Sequence, residues 1–331
     1  MAEMVSFEDI VGQKQALDVL EKAFKTKRLP HAYLFVGPEG VGKETTAKAL
    51  FLKLVCHKQE GCNQCIGCRK YIKGIHPDVE ILSPQGKNIK IGQIRDLERK
   101  LRFVPLEAPK RLILIPQAEY LSREAANALL KSLEEPPPYT LFILIARSTN
   151  YLLPTIVSRT QVIRFRPLSQ EALKDLLINR FGKIPEEALG LSVLAEGSIG
   201  RALRISEKGY LEELSRLAHA LQQPDPTFLL GLAETLANLR EQLPTFLELL
   251  LVWLRQSLRA QWGLEDYPSI FPPPVPKSII VTASHLVEES LQRLEFNVQR
   301  ELNLLSLFLQ LRELWNLAEK TEVSTKGASS T

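Results

Sequence analysis

The stretch that most constrains the fold is an apolar run followed by a glycine-rich loop and a helical pattern. The apolar run is AYLFV (32–36), the loop is GPEGVGK (37–43), and the helical part is ETTAKALFLKLV (44–55). A strand, a glycine loop and a helix in this order are the context of a phosphate-binding loop, which is written G-x-x-x-x-G-K-[ST]. The pattern therefore predicts an α/β domain built around such a loop.

The loop matches the phosphate-binding pattern at every position but the last. Its glycines let backbone N–H groups approach phosphate oxygens, and Lys43 can reach the outer phosphates of a nucleotide as a point charge. The hydroxyl that should bind magnesium is replaced by Glu44, whose charge opposes phosphate binding. Thr45 lies one residue, or about 100° of helix, further round and should point elsewhere. The candidate nucleotide-binding residues of this degenerate site are Gly37, Gly40, Gly42, Lys43, Glu44 and Thr45.

A second part of an ATP-hydrolysing site is missing after the apolar run RLILI (111–115). Hydrolysis needs an acidic residue at such a strand end to hold magnesium, yet Pro116 and Gln117 follow, and Glu119 comes two residues too late. The run LFILIA (141–146) ends in RSTN, where a polar side chain could sense a γ-phosphate but cannot replace the acid. We therefore predict a site that does not hydrolyse ATP, while passive nucleotide binding by the loop stays open.

The first half of the chain alternates apolar runs with helical patterns, and the second half is helical. The apolar runs are AYLFV (32–36), VEIL (79–82), RLILI (111–115), LFILIA (141–146) and VIRF (162–165). Continuous apolar strands between helices indicate a parallel sheet that is covered on both faces. Ser169 is predicted as the N-cap of the next helix, after which the β-type runs stop.

The length of 331 residues suggests about two or three domains. We predict an α/β domain over 1–166, a small helical domain over 167–208 and a longer helical domain over 209–320. The loop DYPSIFPPPVPKS (266–278) interrupts the longer helical domain, because consecutive prolines preclude helix. The polar tail over 321–331 is predicted to be disordered.

The composition is that of a folded globular protein, with 45% apolar and 24% charged residues. A net charge of +4 permits local contact with nucleic acid without arguing for it. The N-terminus lacks the pattern of a secretion signal, and the longest nearly apolar run, FLELLLVWL (246–254), is about half the length that crosses a bilayer. We therefore expect a cytoplasmic protein without membrane contact.

All four cysteines of the chain fall in one C-x5-C-x2-C-x2-C pattern, at Cys56, Cys62, Cys65 and Cys68. In a reducing cytosol such a cluster favours metal binding over disulfides, and four thiolates complete the tetrahedral shell of a structural zinc ion. An iron–sulfur cluster and free thiols are the alternatives, although no C-x3-C-P follows as in one type of iron–sulfur protein. We predict structural zinc, with His57 outside the filled shell.

Three longer stretches resemble bacterial clamp-loader subunits of the AAA+ class, which serve DNA polymerase III. They are FEDIVGQKQALDVLEKAFKTKRLPHAYLFVGPEGVGK (7–43), NALLKSLEEPPPYTLFILIA (127–146) and LLPTIVSR (152–159), and the resemblance covers about residues 5–205. The resemblance implies an AAA+ parallel-sheet P-loop domain with a helical lid, followed by a C-terminal helical collar that oligomerises.

Within that family the motor subunits, gamma and tau, carry an intact loop and an Asp-Glu pair, whereas a non-motor subunit type has a decayed site. The present sequence resembles the non-motor type. It departs from the motor pattern at Glu44, Pro116 and Gln117. It departs again at Gly200 in GSIGRAL, where motor subunits have an arginine that senses nucleotide.

Ser158-Arg159-Thr160 matches the Ser-Arg-Cys motif of the same family, except that threonine takes the last place. The resemblance implies that Arg159 projects across a subunit boundary onto ATP held by a motor subunit. A guanidinium in that position stabilises the charge that builds on the phosphates. A plain surface or salt-bridge arginine is the alternative interpretation.

The segment KNIKIGQIRDLERKLRF (87–103) has helical apolar spacing, with basic residues at its start and on its polar side. From charge alone it is a solvated face. The resemblance places it near the DNA backbone inside the loader, which makes Lys87, Lys90 and Arg95 candidate phosphate contacts.

The resemblance therefore predicts a non-hydrolysing subunit that works with delta and gamma/tau subunits to place a ring-shaped sliding clamp on primed DNA. One alternative is a self-sufficient ATPase in which Glu44 and Glu119 hold magnesium. A second alternative is a zinc-containing DNA-binding protein that is unrelated to clamps.

Overall fold

A computed structural model describes residues 6–238, 243–263, 267, 271–296 and 298–328, with the backbone alone at 295 and over 319–328. The chain divides into two compact units. The first comprises Met1–Leu176 with Glu196–Arg201, and the second comprises Leu177–Ala195 with Ala202–Thr331. The domain bounds at residues 166 and 208 stay predictions.

The first unit contains a five-stranded parallel sheet, as the apolar runs predicted. Its strands are β1 (Ala32–Val36), β2 (Val79–Ile81), β3 (Arg111–Ile115), β4 (Thr140–Ala146) and β5 (Gln161–Arg164). Their order across the sheet is β2-β3-β4-β1-β5, and each neighbouring pair is parallel. The carboxyl ends of β1, β3 and β4 therefore meet at one edge of the sheet, with β4 in the middle.

Both faces of the sheet are covered, which explains why its three central strands are apolar apart from Arg111 and Thr140 at their starts. Alternate side chains of a strand point to opposite faces. On one face Tyr33 and Phe35 pack with Leu50 and Phe51 of the helix α2 (Lys43–Val55). On the other face Leu34, Ile113 and Phe142 pack with residues of the helices α4 (Ile91–Leu101) and α5 (Arg123–Glu134). Strands β1, β3 and β4 are buried over their whole length.

The helices of the first unit precede, connect and follow these strands. They are α1 (Lys14–Lys25), α2 (Lys43–Val55), α3 (Ile66–Ile72), α4 (Ile91–Leu101), α5 (Arg123–Glu134), α6 (Pro154–Val157) and the first part of α7 (Gln170–Phe181). The predicted N-cap of α7 is confirmed, since Ser169 Oγ accepts the backbone N–H of Ala172 at 3.2 Å.

The second unit is helical. Besides the end of α7 it contains α8 (Pro185–Leu194), most of α9 (Ile199–Glu207), α10 (Tyr210–Gln222), α11 (Thr227–Ala237), α12 (Leu243–Gln261), α13 (Ile280–Glu295) and α14 (Arg300–Ala328). Helix α11 packs on α14, and α13 packs on both α12 and α14. The large apolar side chains Phe246, Trp253 and Phe308 are buried in this unit.

The C-terminal end differs from the sequence prediction of a disordered tail over 321–331. Helix α14 continues to Ala328, because the first glycine or proline after Trp315 is Gly327 and nothing earlier interrupts the helix. Residues 329–331 lie outside the described part of the chain. Among the described residues, no helix combines the length and the apolar character that a membrane span requires.

Candidate functional site

The glycine loop joins β1 to α2 and is held by close backbone contacts within the first unit. Gly37 lies so close to the end of β5 that a Cβ on it would come within 2.3 Å of the Phe165 carbonyl oxygen. Gly40 has φ +73°, and a Cβ on it would lie 2.2 Å from Ser198 Oγ. Two of the three loop glycines thus have a packing reason to be glycine, with no nucleotide needed to explain them.

Lys43 begins α2 and is turned back onto its own loop. Its ammonium donates hydrogen bonds to the carbonyl oxygens of Gly37 and Pro38, the latter at 2.6 Å. Burial lowers the pKa of Lys43 to about 8, although the carboxylates of Glu119 and Glu39 act in the opposite direction. The loop lysine is therefore satisfied by loop carbonyls in the free chain.

The residues next to Lys43 do not supply a magnesium ligand at the loop. The Glu44 carboxylate pairs with Lys48 at 2.6 Å on the helix surface. Thr45 is exposed, while the buried Thr46 hydroxyl donates to the Gly42 carbonyl at 2.8 Å. The position after the lysine is thus occupied by a carboxylate that is engaged elsewhere.

Glu119 lies nearer to the loop lysine than its place in the sequence suggested. After β3 the chain folds into the short 3-10 turn Ala118–Tyr120, which carries the carboxylate toward Lys43. One oxygen of Glu119 lies 3.8 Å from Arg147, and its other oxygen is buried without a hydrogen-bond partner among the described residues. The sequence could have revealed this, because β1, β3 and β4 were predicted as parallel strands and the carboxyl ends of parallel strands meet at one edge of the sheet.

Arg147 follows β4 and completes a group of four charges around the loop. It pairs with Glu39 of the loop at 3.2 Å as well as with Glu119. The carboxylates of Glu39 and Glu119 therefore lie near the two cationic side chains of Lys43 and Arg147. A phosphate-binding loop attracts polyphosphate through unbalanced positive charge, and here that charge is balanced by the chain itself.

The four cysteines come together between α2 and α3. Cys56 is the C-cap of α2, Cys65 caps the N-terminus of α3, and Cys68 is buried in the first turn of α3. The four Sγ atoms lie within 4.8 Å of one another, close to the separation of about 3.8 Å that four thiolates with Zn–S bonds of about 2.3 Å require. Burial opposes ionisation of Cys56, but backbone N–H donors such as that of Cys62 hold its pKa at about 6. The donor set fits a tetrahedral metal ion.

Arg159 follows the short helix α6 and lies beside the end of α5. Its Nη1 donates to the Thr155 carbonyl at 3.1 Å and to Ser158 Oγ at 3.3 Å. Its Nη2 pairs with the Glu134 carboxylate at 2.7 Å, and about a third of its side chain is exposed. Sequence reasoning did not find Glu134, although this residue belongs to the SLEEPP stretch that carries part of the resemblance.

The three candidate DNA-contacting residues lie at and near the start of α4. Lys87 and Lys90 precede the helix and Arg95 lies on it, and all three side chains are exposed. Arg99 and Lys100 further along the helix pair with Asp96 and Glu80. No such ion pair is found for the three candidates within the described residues, so they present open cationic groups.

The sheet, the phosphate loop and the helices together define the first unit as a P-loop domain of the AAA+ class. A solved structure of a DNA polymerase III gamma subunit-related protein from Thermotoga maritima has the same fold, with a TM-score of 0.50 and 20% identity. The match covers 89% of the present chain and 98% of that chain.

Residues 12–169 match the family described as DNA polymerase III, delta subunit. The chain is 38% identical over 170 residues to DNA polymerase III subunit delta' of Bacillus subtilis, covering 51% of this chain and 52% of that protein. It is 34% identical over 218 residues to subunit tau of the same organism, covering 65% of this chain and 38% of that protein. The chain is therefore similar to DNA polymerase III subunits of the delta' and tau types, and it spans about half the length of the delta' relative.

Proposed function

We propose that this protein is a non-hydrolysing, delta-prime-like subunit of the DNA polymerase III clamp loader. It would help to place the sliding clamp on primed DNA while ATP is turned over by motor subunits of the gamma/tau type. The observation that carries the proposal is the balanced charge around the phosphate loop, in which Glu39 and Glu119 neutralise Lys43 and Arg147.

Two arguments support the absence of hydrolysis. Motor ATPases hold magnesium with a loop hydroxyl and an acidic residue after a neighbouring strand. Here Glu44 pairs with Lys48, and Pro116 and Gln117 follow β3. A nucleotide that entered the loop would also have to release Lys43 from two carbonyls, so tight binding is disfavoured.

The resemblance and the geometry of Arg159 support a role for this residue in trans. Its guanidinium is partly exposed at the end of α6 and is held by a surface carboxylate rather than by a buried one. A charge-balancing arginine supplied by a neighbour can raise ATP hydrolysis by about 10³-fold or more. We propose that Arg159 does this for ATP bound to an adjacent motor subunit.

The cysteine cluster is proposed to hold a structural zinc ion. Four thiolates close the coordination shell, so no position is left for water or substrate, and the ion would fix α2 relative to α3. The proposed partners are the delta and gamma/tau subunits and the clamp. Lys87, Lys90 and Arg95 would contact the backbone phosphates of primed DNA, which carry no base sequence information.

The role of the loop is tested by ATP turnover. The purified chain is expected to show no turnover above background, and the loader reconstituted with delta and gamma/tau subunits is expected to show clamp- and DNA-stimulated turnover that requires this chain. Turnover by the chain alone that disappears in Lys43→Ala would instead support an active motor subunit with Glu119 as its acid. The observation that favours this second candidate is the oxygen of Glu119 that is buried without a hydrogen-bond partner among the described residues.

The role of Arg159 is tested in the same reconstituted loader. In Arg159→Ala the ATP site that this residue serves should lose about 10³-fold in rate, so total turnover should fall by the share of that site while the subunits still assemble. Arg123→Ala, which removes an exposed arginine at the start of α5, is the matched control. Equal turnover in both variants would remove the proposed role.

A further inference from the structure

Arg159 is held in a defined orientation by three acceptors of its own chain. Two of them, the Thr155 carbonyl and Ser158 Oγ, lie within the same short segment and bind Nη1. The third is the Glu134 carboxylate, which comes from a different element and binds Nη2 at 2.7 Å. A guanidinium has five N–H donors, and Nε of Arg159 has no partner among the residues that the structure describes, so one side of the group remains available to an incoming anion.

The place of Glu134 is unfavourable for the helix that carries it. It is the last residue of α5, where the helix dipole leaves partial negative charge and where cations are the stabilising residues. Its side chain is half exposed, and within the described part of the chain it forms an ion pair with Arg159. The carboxylate therefore does not stabilise its own helix through the dipole, but it does hold Arg159 in one orientation.

We propose that Glu134 is the positioning residue for Arg159, and this proposal rests on the role in trans proposed for that arginine. An unrestrained arginine side chain samples many rotamers, and most of that freedom must be lost before it can contact a phosphate. Glu134 removes part of this freedom in advance and fixes Nη2 at the end of α5. Because the pair is solvent-exposed, it is weak enough for a polyphosphate of the neighbouring subunit to share or replace it.

The proposal is tested with Glu134→Gln in the reconstituted loader. The quantity to measure is the Arg159-dependent turnover, defined as wild-type turnover minus that of Arg159→Ala. We expect kcat of this part to fall about two- to fivefold, the size of an exposed ion pair, with little change in KM for ATP. Glu135→Gln removes the same charge one residue later, where the side chain is also exposed, and should leave kcat unchanged.

The double variant Glu134→Gln/Arg159→Ala separates positioning from a structural role. If Glu134 acts through Arg159, the double variant has the same turnover as Arg159→Ala alone. Equal turnover of Glu134→Gln and wild type, with Arg159→Ala still impaired, would overturn the positioning role and leave the proposed function intact. An unimpaired Arg159→Ala would instead overturn the proposed function itself.

Discussion

Gly200 donates its backbone N–H to the carbonyl oxygen of Gly40 at 3.1 Å, so the phosphate loop and the start of α9 touch through their backbones. A Cβ on Gly200 would lie 3.0 Å from the Cα of Gly40. The resemblance places a nucleotide-sensing arginine of motor subunits at this position. A side chain here would push against the loop, so packing alone gives a physical reason for glycine at this position.

This contact predicts that Gly40→Ala is strongly destabilising. The left-handed φ of Gly40 disfavours any side chain, and the added Cβ would also overlap with Ser198 Oγ. Gly86→Ala is the matched control, because Gly86 has φ +77° and open space around it. In urea unfolding, Gly40→Ala should lose about 1–3 kcal/mol more than Gly86→Ala. Equal losses would show that the loop and residues 198–201 do not pack as described.

The lowered pKa of Lys43 predicts a pH dependence of stability. Burial brings this pKa to about 8, below that of a lysine in an unfolded chain. Between about pH 8 and 10 the unfolded state binds more protons at this residue than the folded state, so the contribution of Lys43 favours the folded state increasingly as the pH rises. From pH 8 to 10 the unfolding free energy of wild type should therefore increase relative to that of Lys43→Met.

The control for this experiment is Lys14→Met, which alters an exposed lysine at the start of α1. Its difference from wild type should stay constant over the same range. A constant difference for Lys43→Met as well would mean that Lys43 is not buried on its loop.

Asp78 is expected to stabilise the first unit strongly. Its buried carboxylate accepts the backbone N–H groups of Leu106, Glu107 and Ala108 at 2.7–2.8 Å and lies 3.6 Å from Arg111. Asp78→Asn should reduce the unfolding free energy at pH 7 by about 3 kcal/mol, because it leaves Arg111 without its buried partner. Asp96→Asn, on the exposed side of α4, should change it by less than about 1 kcal/mol.

The same carboxylate gives a second readout at acid pH. Burial alone raises the pKa of Asp78, but its three backbone N–H donors and Arg111 outweigh burial and keep the pKa below its usual value. Its stabilisation is therefore present near neutral pH and is lost as the pH falls below about 4. The gap between wild type and Asp78→Asn in urea unfolding should narrow over that range, and a gap that widens would contradict the interpretation.

The proposal that the four cysteines hold zinc predicts that removal of one cysteine releases the metal and destabilises the region between α2 and α3. Cys68→Ser takes away the most buried ligand, so metal analysis of the purified variant should show clearly less than the about one zinc per chain expected for wild type. Its melting temperature should fall to that of wild type treated with a strong chelator. His57→Ala is the control and should keep the metal; iron or no metal in wild type would overturn the zinc assignment.

The secondary structure of the first unit could largely be predicted from the sequence. The five apolar runs became the five strands within one residue at every end, because strands buried on both faces are mostly apolar. Leu82 and Phe165, which the runs included, lie just beyond β2 and β5. The N-cap of α7 by Ser169 could also be predicted from the sequence, because it depends only on one side chain and on the backbone three residues later.

The sequence by itself determined the strands, the phosphate loop with its mismatched Glu44, the spacing of the cysteines and the motif around Arg159, because each is a pattern of near neighbours. Only the tertiary structure decided that Glu119 and Arg147 lie near Lys43 and that Glu134 forms an ion pair with Arg159. These groups are far apart along the chain, and the sheet order β3-β4-β1 brings the first three to one edge. The net charge at a site depends on all the charged groups that the fold brings near it, so it could be determined only from the tertiary structure.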